Sequence, residues 1–263
     1  MYVSEDHPNI LQFDIFKNAA GILHFVTTSS PPDDDSGDFN IGFAGGDSCV
    51  ENRVKLALAF GLTPENFVFQ TQVHGVNYHI VTREDAGAGF YLKQTAIPDN
   101  DILITNQPGL CLITRSADCV PVLMYSPAKK VVAAIHSGRE GCRLGAAVKA
   151  AEVMHQQFGA DYRDILVGIG PHICKKCYTV DKACADAYLS RQYYAPNIVE
   201  PAEGDLYTID LKKTIISDLM HIGVPLGNIG HSELCTKHDA PAFYSARNGD
   251  DARFCAGIML KGF

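Results

Sequence analysis

The sequence predicts an α+β fold with mixed sheets in a single domain. Strand-like runs such as "CVPVLMY" and "KVVAAIH" follow one another across short turns, as antiparallel hairpins do, whereas other strand-like runs are separated by helical patterns. This mixture argues against a regular alternation of strands and helices. The chain has 263 residues and no internal repeat, so we expect one domain that spans residues 1–263 and buries one large core.

The N-terminal elements are predicted from turn and capping residues. A strand over 21–28 precedes a surface loop rich in Pro, Asp, Ser and Gly. A helix begins at Asp47 or Ser48, either of which can cap it. The helix ends at Gly61, because glycine readily adopts the left-handed conformation that closes a helix. A second strand is predicted over 67–75.

Three strand-like runs fill the centre of the chain, and turns at 107–109 and 126–127 separate them. We expect these strands to pair with one another. The C-terminal half is predicted to contain a helix over 142–159, a strand over 164–170, helices over 180–193 and 207–224, and strands within 243–260.

Composition and charge exclude several classes of protein. No apolar run approaches the roughly 18 residues of a membrane-spanning helix, and the N-terminus lacks the pattern of a signal peptide. Nine cysteines at irregular spacing are unlike a secreted disulfide framework, which favours reduced thiols and a cytoplasmic location. A formal net charge of −8 would repel a phosphate backbone, so neither nucleic acid nor a membrane is an expected partner.

Three side chains with metal-ligand chemistry stand at the ends of strand-like runs, namely His74, Cys119 and His136. Two imidazoles and a thiolate suit zinc, and three protein ligands leave one position open, as catalytic zinc sites do. Their spacings are too wide for a local metal finger. Buried His and Cys are also common as ordinary core residues, so the pattern alone leaves both interpretations open.

The CxxC formed by Cys174 and Cys177 is a weaker signal. It begins two residues after His172, and a structural zinc site would need a second ligand pair at a matching spacing. The sequence offers no pair at such a spacing, which favours two ordinary loop cysteines.

Several short strings carry a specific resemblance to a known family: "TQVHG", "ITNQPGL", "ADCVPVL", "VVAAIHSG", "GIGPHI" with "CYTV", and "CT" followed by "FYSARNGDDAR". In this order and approximate spacing they resemble the laccase-like multicopper polyphenol oxidase family. It is also called the purine nucleoside phosphorylase family, and its bacterial members include the peptidoglycan editing factor proteins. The helix "VENRVKLALAFGL" is similar as well, so the resemblance extends over roughly residues 23–260.

The resemblance implies a mixed β-sandwich flanked by helices, in which His74, Cys119 and His136 meet at one metal. The implied metal is zinc, with copper less favoured. The implied activity is phosphorolysis of adenosine, inosine or methylthioadenosine, with adenosine deamination as a second activity. Purine nucleosides and phosphate are the implied partners, and a monomer or homodimer is expected.

Three further residues have candidate roles. Asp118 could orient a ligand imidazole, as carboxylates around zinc commonly do, or it could cap a turn. Arg53 and Arg247 match arginines of the family motifs and could clamp phosphate or ribose. Ordinary surface salt bridges are the alternative role for both arginines.

The sequence departs from the family pattern at Ser29, Glu140 and Asn248, three positions where the family brings positive charge. A carboxylate near the site would repel phosphate. We therefore expect phosphorolysis to be weak relative to deamination or hydrolysis, unless the nearby Arg115, Arg139 and Arg143 restore the charge from shifted positions.

Three other functions remain open at this point. A metal-free hydrolase with Cys119 as the nucleophile and a histidine as the base is one. Copper-dependent phenol oxidation is another, although ten scattered histidines are too few for multicopper clusters. A non-catalytic binding protein is the third, and the lost arginines suggest it.

Overall fold

Two six-stranded β-sheets form the centre of the fold. The computed structural model describes residues 1–33, 37–190, 196–239 and 241–262, and these residues contain fifteen strands. In chain order, β1 to β15 are Tyr2–Val3, Ile10–Gln12, Ile22–Thr27, Phe67–Val68, Tyr78–Ile80, Ile102–Thr105, Cys111–Ser116, Val120–Ser126, Val131–Ser137, Leu166–Ile169, Thr179–Asp181, Val199–Pro201, Leu206–Ile209, Ile229–His231 and Phe254–Leu260.

Both large sheets are mixed, as the sequence predicts. The first has the order β1-β2-β3-β15-β7-β4 and is antiparallel except for the β4–β7 pair. The second has the order β14-β10-β8-β9-β6-β5, and its two edge pairs, β10–β14 and β5–β6, are parallel. A third, three-stranded antiparallel sheet has the order β11-β13-β12.

Helices cover the outer faces of the two large sheets. The described residues contain five α-helices, and α1 to α5 are Asp47–Ala59, Arg139–Leu144, Ala146–Phe158, Lys182–Leu189 and Leu211–His221. Buried residues of α1 cluster with those of β7 in the first sheet, α3 packs on β9 and β6 of the second sheet, and α5 packs against α2 and α3. The predicted β-sandwich flanked by helices is therefore confirmed. Within the described ranges, no helix is both long and apolar enough to cross a membrane.

The central strands are buried on both faces, which explains their unbroken apolar runs. In β8, Val122 and Met124 pack on the helical side, whereas Leu123 and Tyr125 pack between the two sheets with Leu112 of β7. A strand with one face in water would instead alternate between apolar and polar residues.

The centre of the chain contains four strands rather than the three predicted. The middle run is broken at residues 117–119, where Asp118 adopts a left-handed backbone with φ 87°. Before the break β7 belongs to the first sheet, and after it β8 belongs to the second. As predicted, β6 and β8 both pair with β9. The predicted pairing is wrong for β7, which pairs with β15 and β4, because the chain passes between the sheets at the break.

Two predicted helices differ in extent from those observed. The helix predicted over 142–159 is two helices, α2 and α3, because Gly145 between them has φ 81°. The helix predicted over 207–224 begins only at Leu211. The residues before it form β13, whose aromatic and β-branched side chains favour the pairing with β11 and β12.

Two predictions extend beyond the described residues. The helix predicted over 180–193 is observed as α4, and residues 191–193 lie outside the described residues. The surface loop predicted after β3 includes residues 34–36, which also lie outside them.

Candidate metal centre

The three residues predicted at one site, His74, Cys119 and His136, lie together, and we call them the cavity cluster. His74 is in the loop between β4 and β5, Cys119 ends the break between β7 and β8, and His136 lies on β9. Their potential ligand atoms are all within 4.8 Å of one another. The two imidazole rings meet edge to face, with centroids 4.8 Å apart and planes at 80°.

Two residues at the cavity cluster have a left-handed backbone. His74 has φ 63° and Asp118 has φ 87°, a conformation that costs a non-glycine residue about 1–3 kcal/mol. Both are held by hydrogen bonds. The backbone N–H of His74 donates to Oδ1 of Asp101 at 3.0 Å. The Asp118 carboxylate accepts from Oγ1 of Thr236 at 2.6 Å and from the backbone N–H of Arg247 at 2.8 Å.

Asp101 is the carboxylate that contacts a site imidazole, and the sequence analysis does not single it out. It is buried directly before β6, and its Oδ1 accepts from Nδ1 of His136 at 2.7 Å. Its Oδ2 accepts from the backbone N–H of Gly75 at 2.6 Å. Burial raises the pKa of Asp101, but these hydrogen bonds hold it below its ordinary value. The available signal was an Asp directly before an apolar run, which is weak because such residues commonly cap turns.

The hydrogen bond to Asp101 fixes the tautomer of His136. An ionised carboxylate can only accept, so Nδ1 carries the proton and Nε2 keeps its lone pair. Burial lowers the pKa of His136 and outweighs the opposite effect of Asp101, so the ring is neutral at neutral pH. A neutral imidazole oriented by a carboxylate is the form that binds metals.

The chemistry of the cluster and the space around it fit a metal ion. Burial raises the pKa of the Cys119 thiol to about 12, so its thiolate forms only where a cation stabilises it. Gly138 leaves room beside the donors, because a Cβ there would lie 2.9 Å from the Cys119 sulfur and 2.9 Å from Cδ2 of His74. Imidazole and thiolate donors suit transition metals rather than calcium or magnesium.

The cavity cluster lines a cavity of about 550 Å³, a volume typical of a small-molecule site. The charged residues of its lining, besides the cluster, are Lys93, Arg115, Arg247, Arg253, Asp118 and Asp251. Four cations thus face two carboxylates, and this balance favours an anionic group on the ligand.

Arg115 is a buried cation at this cavity. Its Nη2 donates to the backbone carbonyl of Gln70 at 2.7 Å, and its guanidinium lies 3.9 Å from the ring centre of Phe43. Burial, followed by the charge of Arg53, lowers the pKa of Arg115 to about 9, which still leaves it protonated at neutral pH. Its Nε is buried and has no hydrogen-bond partner among the described residues.

Arg247 and Asp118 belong to one contact at the edge of the cavity. The Arg247 guanidinium lies 4.9 Å from the ring centre of Tyr178, and its Nη2 donates to the carbonyl of Thr179 at 3.0 Å. Its backbone N–H binds the Asp118 carboxylate. Arg247 therefore lines the cavity, and Asp118 holds the break beside Cys119.

Arg53, the other predicted substrate-binding arginine, is not among the lining residues. Its side chain is 2% exposed, and its guanidinium donates to the backbone carbonyls of Ile41, Gly42 and Phe90. Burial lowers the pKa of Arg53. Arg53 ties α1 to two loops, which differs from both a phosphate clamp and a surface salt bridge.

The three departures from the family pattern also lie outside the cavity lining. Glu140 accepts from Nε of Arg143 at 2.8 Å, so its charge is paired within α2. Ser29 and Asn248 line a separate concavity. This placement removes the basis for expecting Glu140 to repel phosphate.

Comparison with known proteins agrees with the family expected from the sequence. Residues 27–261 match the model of the family described as multi-copper polyphenol oxidoreductase laccase. A Mycobacterium tuberculosis protein named purine nucleoside phosphorylase is 33% identical over 236 residues, which cover 89% of this chain and 88% of that protein. A protein named adenosine deaminase RL5, from an unknown prokaryotic organism, is 27% identical over 259 residues, which cover 95% of this chain and 98% of that one. The crystal structure of YlmD from Geobacillus stearothermophilus has a TM-score of 0.89 at 29% identity and covers 99% of both chains.

Proposed function

We propose that this chain, which belongs to the multi-copper polyphenol oxidoreductase laccase family, is a zinc-dependent purine nucleoside phosphorylase acting on adenosine, inosine or methylthioadenosine. The observation that carries the proposal is the meeting of three metal-type donors with a mainly cationic cavity. The names of its relatives support an enzyme that acts on purine nucleosides.

In this proposal His74, Cys119 and His136 hold the zinc ion. Zinc, when bound, supplies a Lewis acid that polarises an oxygen atom of the substrate or of water. Asp101 keeps the proton on Nδ1 of His136 and so presents Nε2 to the metal. The same carboxylate binds the backbone N–H of His74, so one buried group positions two of the three ligands.

Phosphorolysis requires phosphate to be held beside the nucleoside. A phosphate oxygen forms a bond to C1′ of the ribose while the bond from C1′ to N9 of the purine breaks, and the departing base takes up a proton. Arg115 and Arg247 supply guanidinium groups that can bind two phosphate oxygens each. Phe43 and Tyr178 supply aromatic surface in the same cavity for the flat base.

Adenosine deamination is the second candidate, and the relative named adenosine deaminase favours it. In this reaction water adds at C6 of adenine, ammonia leaves from the same carbon, and inosine remains. Deamination uses the cavity cluster but no phosphate. The two activities therefore separate by their dependence on phosphate.

The alternatives from other classes have less support. A hydrolase with Cys119 as the nucleophile needs a thiolate, whereas burial raises the pKa of this thiol to about 12. A multicopper oxidase needs more histidine ligands than the two that line this cavity. A non-catalytic binding protein was suggested by lost arginines, but Arg115, Arg247 and Arg253 line the cavity.

A nucleoside screen by mass spectrometry, with and without inorganic phosphate, tests the proposal. We expect inosine to yield hypoxanthine and ribose 1-phosphate only when phosphate is present, and adenosine deamination to proceed without it. His74→Ala is the inactive comparison, and His231→Ala, a change on β14 outside the cavity lining, is the matched control. If the zinc-loaded chain releases neither base nor ammonia from any of the three nucleosides, the proposal is wrong.

A further inference from the structure

A second group of metal-type side chains lies outside the cavity lining, and we call it the loop cluster. It consists of Cys174, Cys177, Cys235 and His238, whose potential ligand atoms are all within 4.8 Å of one another. The first two residues form the CxxC of the sequence analysis. The other two form a CxxH, Cys235-Thr236-Lys237-His238. The second ligand pair that the sequence analysis did not find is therefore on a distant loop.

We propose that the loop cluster holds a structural zinc ion, separate from the ion at the cavity. Three cysteines and one histidine are a usual donor set of closed, four-coordinate zinc sites. Nδ1 of His238 lies 3.8 Å from the sulfur of Cys174 and 3.4 Å from the sulfur of Cys177. Tetrahedral zinc, with bonds of about 2.3 Å to sulfur and about 2.0 Å to nitrogen, separates such donors by about 3.5 Å.

Each ligand pair lies in a turn that brings its two side chains together. The carbonyl of Cys174 accepts from the N–H of Cys177 at 3.0 Å, and the carbonyl of Cys235 accepts from the N–H of Asp239 at 2.9 Å. A β-bridge between His172 and Cys235 joins the two segments. Two residues between the ligands of each pair let one turn present both donors to a single ion.

Backbone N–H groups surround the sulfur of Cys235. The backbone N–H of Cys174 donates to it at 3.3 Å, and the backbone N–H groups of Lys237 and His238 also hydrogen-bond to it. Three thiolates and one zinc ion sum to one negative charge, and Lys237 provides positive charge between Cys235 and His238 in the sequence.

The proposed ion would fasten two loops at the wall of the cavity. Tyr178 of the CxxC loop (172–178) lines the cavity. Thr236 of the CxxH loop (235–239) donates to the carboxylate of Asp118, at the break where the chain passes between the sheets. The loop cluster therefore supports the geometry of the cavity cluster without contacting the substrate.

Zinc analysis of the full chain, purified without added metal, tests this inference. We expect two zinc ions per chain in the natural sequence and one in each of Cys177→Ser, His238→Ala and His74→Ala. The double variant His74→Ala/His238→Ala should hold none. His238→Cys should keep both ions because thiolate can replace imidazole as a ligand. Cys184→Ser, which lies outside both clusters, should also keep both.

Thermal melting provides a second readout, and neither readout depends on nucleoside activity. The His238 side chain is 54% exposed, so without a metal role its removal should have little effect on stability. We expect His238→Ala to lower the Tm by more than about 5 °C and His238→Cys to restore it. The inference is overturned if Cys177→Ser and His238→Ala keep the zinc content of the natural chain, or if the purified chain carries a disulfide between two of the three cysteines.

Discussion

The cavity cluster and the loop cluster use the same two residue types in different surroundings. The cavity cluster has three donors, a left-handed backbone at His74 and a buried carboxylate behind His136. The loop cluster has four donors in two turns and lies outside the cavity lining. Three protein ligands leave a position for a reacting atom, whereas four close the coordination sphere of the ion. Donor count and backbone strain therefore indicate the role of a site better than donor type does.

Removal of a donor of the cavity cluster should harm turnover more than folding. For His74→Ala we expect nucleoside turnover to fall about 1000-fold, because a Lewis acid supplies several kcal/mol of transition-state stabilisation. The Tm should change by less than about 3 °C, because the His74 side chain is exposed. Steady-state kinetics and thermal melting, with His231→Ala as the control, measure both effects. A variant that melts far earlier yet keeps its turnover would contradict the assignment.

Asp101→Asn should affect the cavity cluster and leave the loop cluster unchanged. We expect zinc affinity at the cavity cluster to fall about 10-fold to 100-fold, as it does when a carboxylate partner of a ligand imidazole is lost. The free energy of unfolding should fall by about 1–3 kcal/mol, because the amide NH2 that replaces one carboxylate oxygen would face the backbone N–H of either His74 or Gly75. Chelator competition and urea unfolding measure these quantities. Asp99→Asn is the matched control, because it makes the same chemical change at an exposed residue. The left-handed backbone of Asp99 is one that asparagine also adopts.

The loop cluster provides the internal reference for this variant. Asp101 contacts none of its four ligands among the described hydrogen bonds. One zinc ion per chain should therefore stay bound with unchanged affinity in Asp101→Asn. Equal weakening of both ions would show that the two clusters are not independent.

The mixed α+β fold and the candidate donors of the cavity cluster could be predicted from the residues, whereas the sandwich and the meeting of the three donors were implied only by the family resemblance. Strands buried on both faces appear as unbroken apolar runs, so His136 at the end of β9 and Cys119 just before β8 stand out as polar residues beside them. The break at Asp118 could not be predicted, because its left-handed backbone depends on Thr236 and on the Arg247 N–H, which are distant in the sequence. Local propensity carries no information about such contacts.

The loop cluster and Arg53 show that the partners of a side chain also depend on contacts between distant parts of the sequence. The CxxC and the CxxH are far apart in the sequence, and contacts formed on folding, such as the bridge between His172 and Cys235, bring them together. Arg53 matches a family arginine, but whether an arginine faces a ligand or a ring of carbonyls depends on how α1 packs on its neighbouring loops. Residue identity therefore predicted candidate donors, and tertiary packing decided their partners.

Acid pH should release metal from both clusters. A buried histidine outside the clusters should also lower the free energy of unfolding at acid pH, so the two effects must be separated. His24 is 4% exposed and packs on Phe16, and burial lowers its pKa to about 4. Between pH 6.5 and 4 the unfolded chain binds a proton that the folded chain excludes, so stability is lost as the pH falls through this window. From pH 7 to 5 His24 should remove about 2 kcal/mol from the free energy of unfolding.

The measurement is urea unfolding of the natural chain and of His24→Gln at several pH values. The variant should be less stable at pH 7, because its amide replaces a packed ring, but its stability should decline less on acidification. His24 belongs to neither cluster, so the pH dependence that remains in the variant includes proton uptake by the metal ligands. Identical pH profiles for the two proteins would show that His24 is not the source of the loss.

The smallest effect expected concerns the cationic surroundings of the cavity cluster. Arg247→Ala should raise the KM for phosphate about tenfold, which corresponds to about 1.4 kcal/mol, because an exposed guanidinium is partly screened by water. Phosphate-independent deamination should change by less than about twofold, since neutral water needs no charge partner. Arg247→Ala should keep the zinc ion of the loop cluster.

Glu140→Gln is the matched control for this prediction. Its carboxylate is paired with Arg143 and lies outside the cavity lining, so the KM for phosphate should change by less than about twofold. The departure from the family pattern predicts the opposite outcome, in which Glu140 repels phosphate and Glu140→Arg improves phosphate use. Phosphate saturation curves of inosine cleavage decide between the two. If Glu140→Gln lowers the KM for phosphate tenfold while Arg247→Ala leaves it unchanged, phosphate binds at α2, and the cations around the cavity cluster serve another purpose.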